Sequence, residues 1–180
     1  QPTEQGPVLC FLQPELQAQA ERIRFIGKET GIRFLGAVKS GALELYPAFG
    51  DDLAGFDCSN MTEYQRIAPL AAGKELFFTS PVPLPSLPVT TGVTVIVDSL
   101  AQRELYPEPT MAKQQGVRFG LRLDITYLLS LSGLAPERCA NYPRSRFGCA
   151  PSASELGRLL DQQQVSGFHL HHGSQGMYPV

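Results

Sequence analysis

Residues 92–106 read GVTVIVDSLAQRELY, and the repeating unit of the chain is plainest in them. Residues 93–97 (VTVIV) are five β-branched residues in a row, without the polar alternation of a half-exposed strand. Such a run suits a strand buried on both faces, as in a parallel sheet with helices packed against it. Asp98 and Ser99 follow directly, and residues 99–106 carry a short helical pattern. One strand, a polar turn and one helix make a βα unit, and the same rhythm recurs on either side.

Upstream, residues 75–80 (ELFFTS) predict a strand, and residues 62–72 a helix with Asn60 or Thr62 as N-cap. Residues 55–58 predict another strand, residues 43–49 a short helical stretch, and residues 32–38 (IRFLGAV) the first strand of the series. Residues 81–88 are too proline-dense for a helix interior. Downstream, residues 117–124 (VRFGLRLD) predict a strand and residues 125–151 a long irregular stretch. Residues 152–164 predict a helix, with Ser152 and Glu155 spaced as a capping box and Leu156, Leu159 and Leu160 as its apolar stripe. Residues 166–172 (SGFHLHH) close the series, which an extended piece at residues 8–12 and a helix at 14–26 precede. Six strands separated by helices predict parallel pairing with right-handed crossovers. The pattern fits either an open doubly wound sheet or part of a (β/α)8 barrel.

Composition narrows the function classes. The 180 residues are 43% hydrophobic and 18% charged, ordinary for a globular domain, with a formal net charge of −2. No basic footprint points to nucleic acid or anionic lipid. The longest apolar runs fall far short of the roughly 20 residues of a membrane span. No signal-like stretch opens the chain, which starts at Gln1; together these features predict a cytoplasmic protein. Cys10, Cys58, Cys139 and Cys149 lack C-x-x-C spacing, so neither a zinc site nor a disulfide framework is expected. A Cys139–Cys149 pair across a short loop is sterically conceivable but not required.

In both architectures functional groups gather at the carboxyl ends of the strands. Lys39, Asp57, Cys58, Ser59, Ser80, Asp98, Asp124 and the run from His171 to Ser174 all fall there. Taken singly, each has an ordinary explanation. A lysine just past a strand is most often a solvated charge, and Asp57 and Asp98 could cap the next helices. His169 and His171 share one strand face by period-two alternation, with His172 on the other. A His-x-His pair invites a metal, but no third ligand accompanies it, and no metal is expected.

Their order along the chain says more. AVKS (37–40), FDCSNMTE (56–63), FTSP (78–81), VDSL (97–100), GLRLD (120–124), SRFG (145–148) and GFHLHHGSQ (167–175) follow one another. This succession resembles the fold-type III pyridoxal-phosphate decarboxylases, which act on diaminopimelate, ornithine, arginine or carboxynorspermidine. GPVLCFLQPELQAQAERI (6–23) looks like that family's opening strand and first helix, so the resemblance covers nearly the whole chain.

The resemblance implies an α/β fold, a (β/α)8 TIM-barrel-type domain like that of alanine racemase, with about six of eight strands present. Residues 1–31 would be the opening strand and first helix, and residues 32–180 a partial pyridoxal-phosphate-binding barrel. It implies that Lys39 forms the Schiff base with the cofactor aldehyde. Such a lysine must become neutral during exchange with substrate, which burial and a neighbouring cation favour. His171 would stack on the pyridine ring, and Ser174 with the Gly173 backbone would hold the phosphate. Asp57, Glu63 and Arg122 would line the cofactor in supporting roles, and the reaction would be decarboxylation of a small-molecule substrate, a basic or dicarboxylic amino acid such as carboxynorspermidine, diaminopimelate or ornithine.

Two of the family's features lie outside these 180 residues: a glutamate that pairs with the pyridine nitrogen, and the C-terminal β-domain that supplies much of a homodimer interface. The expectation is therefore a fragment, or a chain completed by another. An amino-acid racemase on the same barrel is the nearest enzymatic alternative, and a non-catalytic relative that keeps the half-site is the other. Tyr46–Pro47 and NYPRSRFG (141–148) lean towards the carboxynorspermidine branch. An open barrel of six strands would also leave an apolar inner face, including Phe34, Phe56 and Val95, partly uncovered.

Overall fold

The computed structural model describes residues 10–41, 43–86, 92–131 and 147–171. Helix α1 (Gln13–Thr30) precedes β1 (Phe34–Ala37), and a 3-10 segment Leu43–Ala48 leads towards β2 (Leu53–Cys58). Helix α2 (Met61–Ile67), β3 (Glu75–Thr79), β4 (Val93–Val97) and α3 (Leu100–Glu104) follow. Helix α4 (Pro109–Gln114), β5 (Val117–Arg122), α5 (Ile125–Leu131), α6 (Ala153–Asp161) and β6 (Gly167–His169) complete the order.

All strand pairs are parallel, and the sheet runs β1-β2-β3-β4-β5-β6. This order separates the two architectures. A doubly wound sheet reverses its strand order at a switch point, whereas a barrel adds each strand beside the last. No reversal occurs, and the six strands form an incomplete (β/α) barrel.

Helix ends follow local chemistry. Helix α1 runs four residues past its expected end and stops at Gly31, whose φ of 71° suits the left-handed cap and whose N–H bonds Gly27 O. Asn60 caps α2 by accepting the Glu63 N–H, and Pro69 then turns the chain into a 3-10 segment where the sequence pattern extends the helix to residue 72. Ser99 caps α3, so Asp98 is not the cap. Ser152 and Glu155 form the full capping box expected for α6. Two short helices are absent from the sequence reading: α4, begun by a proline at its first turn, and α5, inside the stretch expected to be irregular. The strand expected at residues 8–12 begins outside the described residues, and residues 10–12 are not strand. Strand β6 is shorter than expected, and residue 172 lies outside the described residues.

Register assigns the two faces of the sheet. Gly36, Phe56, Leu76 and Val93 share one face through successive pairings, as do Cys58, Phe78 and Val95. This face packs on Ile67 of α2, Ala112 of α4 and Leu159 of α6 and carries the hydrophobic core. The expected apolar inner face is therefore corrected: Phe34, Phe56 and Val95 lie under the helices. The opposite, inner face carries Glu75, Phe77 and Thr79 of β3, Thr94 and Ile96 of β4, and Arg118, Gly120 and Arg122 of β5. Thr94 and Ile96 are buried too, which explains the unbroken β-branched run of the central strand.

Among the described residues no helix is long and apolar enough to cross a membrane. Cys10, Cys58 and Cys149 are free thiols, so Cys149 is not bridged to Cys139, itself outside the described residues.

Candidate active site

The inner face ends in polar groups at the carboxyl edge of the sheet. Ala37 pairs with Asp57 in register, and Arg122 with His169, so neighbouring strands deliver their last inward residues to one rim. Lys39 follows β1 by two residues and is exposed there. Its surroundings differ from the burial that the sequence reading expects of a Schiff-base lysine. Among the described residues no hydrogen bond or ion pair engages its ammonium.

Asp57 accepts a 2.7 Å hydrogen bond from Thr79 Oγ1 on the next strand. Burial pushes its carboxyl above the ordinary value, while the Thr79 bond and Lys39 pull it down. Glu63 is differently employed. Its carboxylate accepts the Ser59 N–H at 2.7 Å and the Asn60 Nδ2 at 3.1 Å, closing the start of α2. Its charge nevertheless reaches Asp57 and opposes ionisation there.

Arg122 is 9% exposed, and its Nη1 lies 3.5 Å from Asp98 Oδ1. Its guanidinium sits over the Phe147 ring, 4.8 Å from the centroid. His169 carries a buried Nδ1 with no hydrogen-bond partner among the described residues. Burial, then Arg122, His171 and Lys39, lower its pKa to about 4. His171, exposed just beyond β6, is lowered by burial and by the same two cations. Four basic groups thus share the rim with Asp57, Asp98 and Glu63.

The structure brings Lys39, Asp57, Arg122 and His171 into one electrostatic neighbourhood. Gly173 and Ser174 lie outside the described residues. Thr79 and His169 were not singled out as site residues from sequence. His169 shares the face of His171 by alternation, which was the available signal; for Thr79 only the cross-strand register reveals its role. Among the described residues no group of His, Cys, Asp and Glu is arranged to hold a metal ion.

The donor set suits an anionic ligand, and the amine of Lys39 can meet an electrophilic carbon on it. An exposed amine is available at Lys39, and among the described residues no neutral acceptor engages the buried guanidinium of Arg122. The orphaned Nδ1 of His169 leaves one more polar atom for a ligand or water to satisfy.

No sequence-family profile matches the chain, and no curated protein matches it. Among solved structures it is similar to carboxynorspermidine decarboxylase from Campylobacter jejuni, solved in complex with norspermidine. The two share 23% sequence identity with a TM-score of 0.57, over 88% of this chain and 38% of that one. The chain therefore spans well under half the length of this neighbour, and the likeness is one of fold.

Proposed function

We propose that this chain is the cofactor-binding part of a pyridoxal-phosphate-dependent amino-acid decarboxylase. On this reading residues 1–31 lead into the barrel, and residues 32–180 form its Lys39-bearing portion. The observation that carries the reading is the convergence of Lys39, Asp57, Arg122 and His171 on one rim, from motifs that follow the family's order. The fold of the Campylobacter jejuni neighbour supports it.

Lys39 would hold the cofactor through its aldehyde carbon, and the His171 ring would lie against the pyridine. Gly173 and Ser174 would take the phosphate. When bound, the cofactor supplies an electron sink for the pair left by departing carbon dioxide. The chain's own residues set the field around it. Arg122, held over Phe147 and beside Asp98, presents fixed positive charge to an anionic group. Asp57, tied to Thr79, keeps its carboxyl oriented towards the same rim. His169, neutral at pH 7, adds a polar atom without adding charge.

The substrate class would be a carboxylated polyamine, with carboxynorspermidine ahead of diaminopimelate and ornithine. The neighbour's name and the Tyr46–Pro47 and NYPRSRFG segments favour that order. The full-length protein would be a cytoplasmic homodimer. The test is chemical trapping: protein given pyridoxal phosphate and then borohydride should carry a reduced adduct on Lys39, located by peptide mass spectrometry. An adduct spread over Lys28, Lys74 and Lys113 instead would overturn the reading.

A further inference from the structure

We infer that Asp98 is the positioning residue of this site, holding Arg122 and a loop strap in place with the two oxygens of one carboxylate. The importance of Arg122 for cofactor binding rests on the function proposed above; the positioning itself rests on geometry. Asp98 directly follows the last residue of β4, at the centre of the sheet, and Ser99, not Asp98, caps the helix that follows. Its carboxylate is thereby left for other work. Oδ1 faces Arg122 Nη1 at 3.5 Å, and Oδ2 accepts the Gly148 N–H at 3.1 Å.

Residues 147–149 are laid against the end of β5. Cys149 N–H donates to Arg122 O at 3.1 Å, and Asp124 N–H donates to Cys149 O at 2.9 Å. Cys149 Sγ also meets Arg122 O at 3.5 Å. Gly148 has φ 86°, and a Cβ there would lie 2.8 Å from Asp124 N and Leu123 C, so only glycine passes this close to β5. The strap carries the Phe147 ring to the guanidinium of Arg122. Arg122 is therefore enclosed between a carboxylate and an aromatic face, and Asp98 sets both: one directly, the other through the strap.

The same atom arrangement explains why a side chain only 9% exposed can hold a charge ready for a ligand. A buried guanidinium beside an untethered strap would turn towards whichever carbonyl it could reach. With Asp98 and Phe147 fixed, its orientation is set before any ligand arrives.

Two variants separate the two oxygens' tasks. Asp98→Ala removes both contacts. Asp98→Asn keeps the shape and an oxygen acceptor for Gly148 but removes the charge facing Arg122. Amide exchange at Gly148, read by NMR, should accelerate at least about tenfold in Asp98→Ala and stay within about twofold of wild type in Asp98→Asn. Phenylglyoxal labelling of Arg122, read by mass spectrometry, should accelerate several-fold in both. Core amides of Val95 and Leu121 serve as the folding control, and Asp98→Asn alone decides the charge term if Asp98→Ala does not fold. Wild-type exchange and labelling rates in Asp98→Ala, or wild-type labelling in Asp98→Asn, would overturn the inference. Pyridoxal-phosphate affinity should fall in both variants. A wild-type protein that forms no Lys39 adduct would sink the proposed function while leaving the exchange and labelling results to judge Asp98.

Discussion

Arg122 on β5 and His169 on β6 are register partners, and this pairing sets an imidazole whose buried Nδ1 has no partner among the described residues beside a buried guanidinium. Both burial and the neighbouring positive charge disfavour protonation of the imidazole, which titrates at about 4 rather than 6.5. Neutrality at that position is a product of its surroundings.

That neutrality has a stability consequence. Between pH 6.5 and about 4 the unfolded chain binds a proton at His169 that the folded chain does not. Stability therefore falls as pH drops through this window, by roughly 3 kcal/mol at its full extent. Asp57, whose carboxyl is raised, works in the opposite direction from its unfolded value upward. Urea titrations of wild type and His169→Gln at pH 7 and pH 4.5 should show a smaller acid loss in the variant. An equal loss in both would contradict the assignment.

The hydroxyl of Thr79 holds Asp57 against the pull of burial. Thr79→Val should raise the Asp57 pKa further and cost about 1 kcal/mol of stability. Carbon-13 titration of the carboxyl reads the first, and denaturant unfolding the second. A lowered Asp57 pKa would show that the bond does not stabilise the ionised form.

Gly55 on β2 is required by space rather than by conformation. A Cβ built there would lie 2.0 Å from Glu75 O, on the backbone of the neighbouring strand. Because backbone rather than a flexible side chain stands in the way, Gly55→Ala should cost at least about 2 kcal/mol. Gly157 of α6, where nothing lies within 4 Å of the added Cβ, is the control and should gain up to about 1 kcal/mol on the same change. Thermal unfolding of the two variants tests the contrast.

Asn60 accepts the Glu63 N–H, and Glu63 returns a bond to the Ser59 N–H. Asn60→Ala should cost about 1 kcal/mol through loss of the cap. Glu63→Gln retains an oxygen for Ser59 and removes the charge near Asp57, so it should lower the Asp57 pKa with a smaller stability loss. An unchanged Asp57 titration in Glu63→Gln would confine Glu63 to capping.

Phe168 within β6 and Leu170 just after it are 44% and 55% exposed, and among the described residues β6 is an edge strand. Apolar side chains next to unpaired strand edges promote association. The 180-residue polypeptide in isolation should therefore self-associate at micromolar concentration, and Phe168→Lys with Leu170→Lys should reduce that. Light scattering after size exclusion decides it, and a monodisperse wild-type monomer would refute the expectation.

The periodicities visible in the chain reached far. The βα rhythm, all six strands, the capping box of α6 and the gathering of Lys39, Asp57 and Arg122 at strand ends follow from local patterns of residues. Apolar runs and caps act within a few residues, so their physics is written in the order of the chain. Helices α4 and α5 were missed because each is short, and a turn or two of helix leaves little periodic signal.

Register and face are another matter. A period of two says that Phe56 and Asp57 point opposite ways, but not which of them meets the helices. Only packing on Ile67, Ala112 and Leu159 puts Phe56 inside the core and turns Asp57 towards Thr79. The βα succession, and which residues stand at the strands' carboxyl ends, follow from chain order alone. That the strands add in order as in a barrel, that Asp98 faces Arg122 and Gly148 rather than capping a helix, and that His169 lies half-buried at the rim with its Nδ1 covered are products of packing. Those outcomes depend on contacts between residues up to about fifty positions apart, whose free energy exists only once the strands have met.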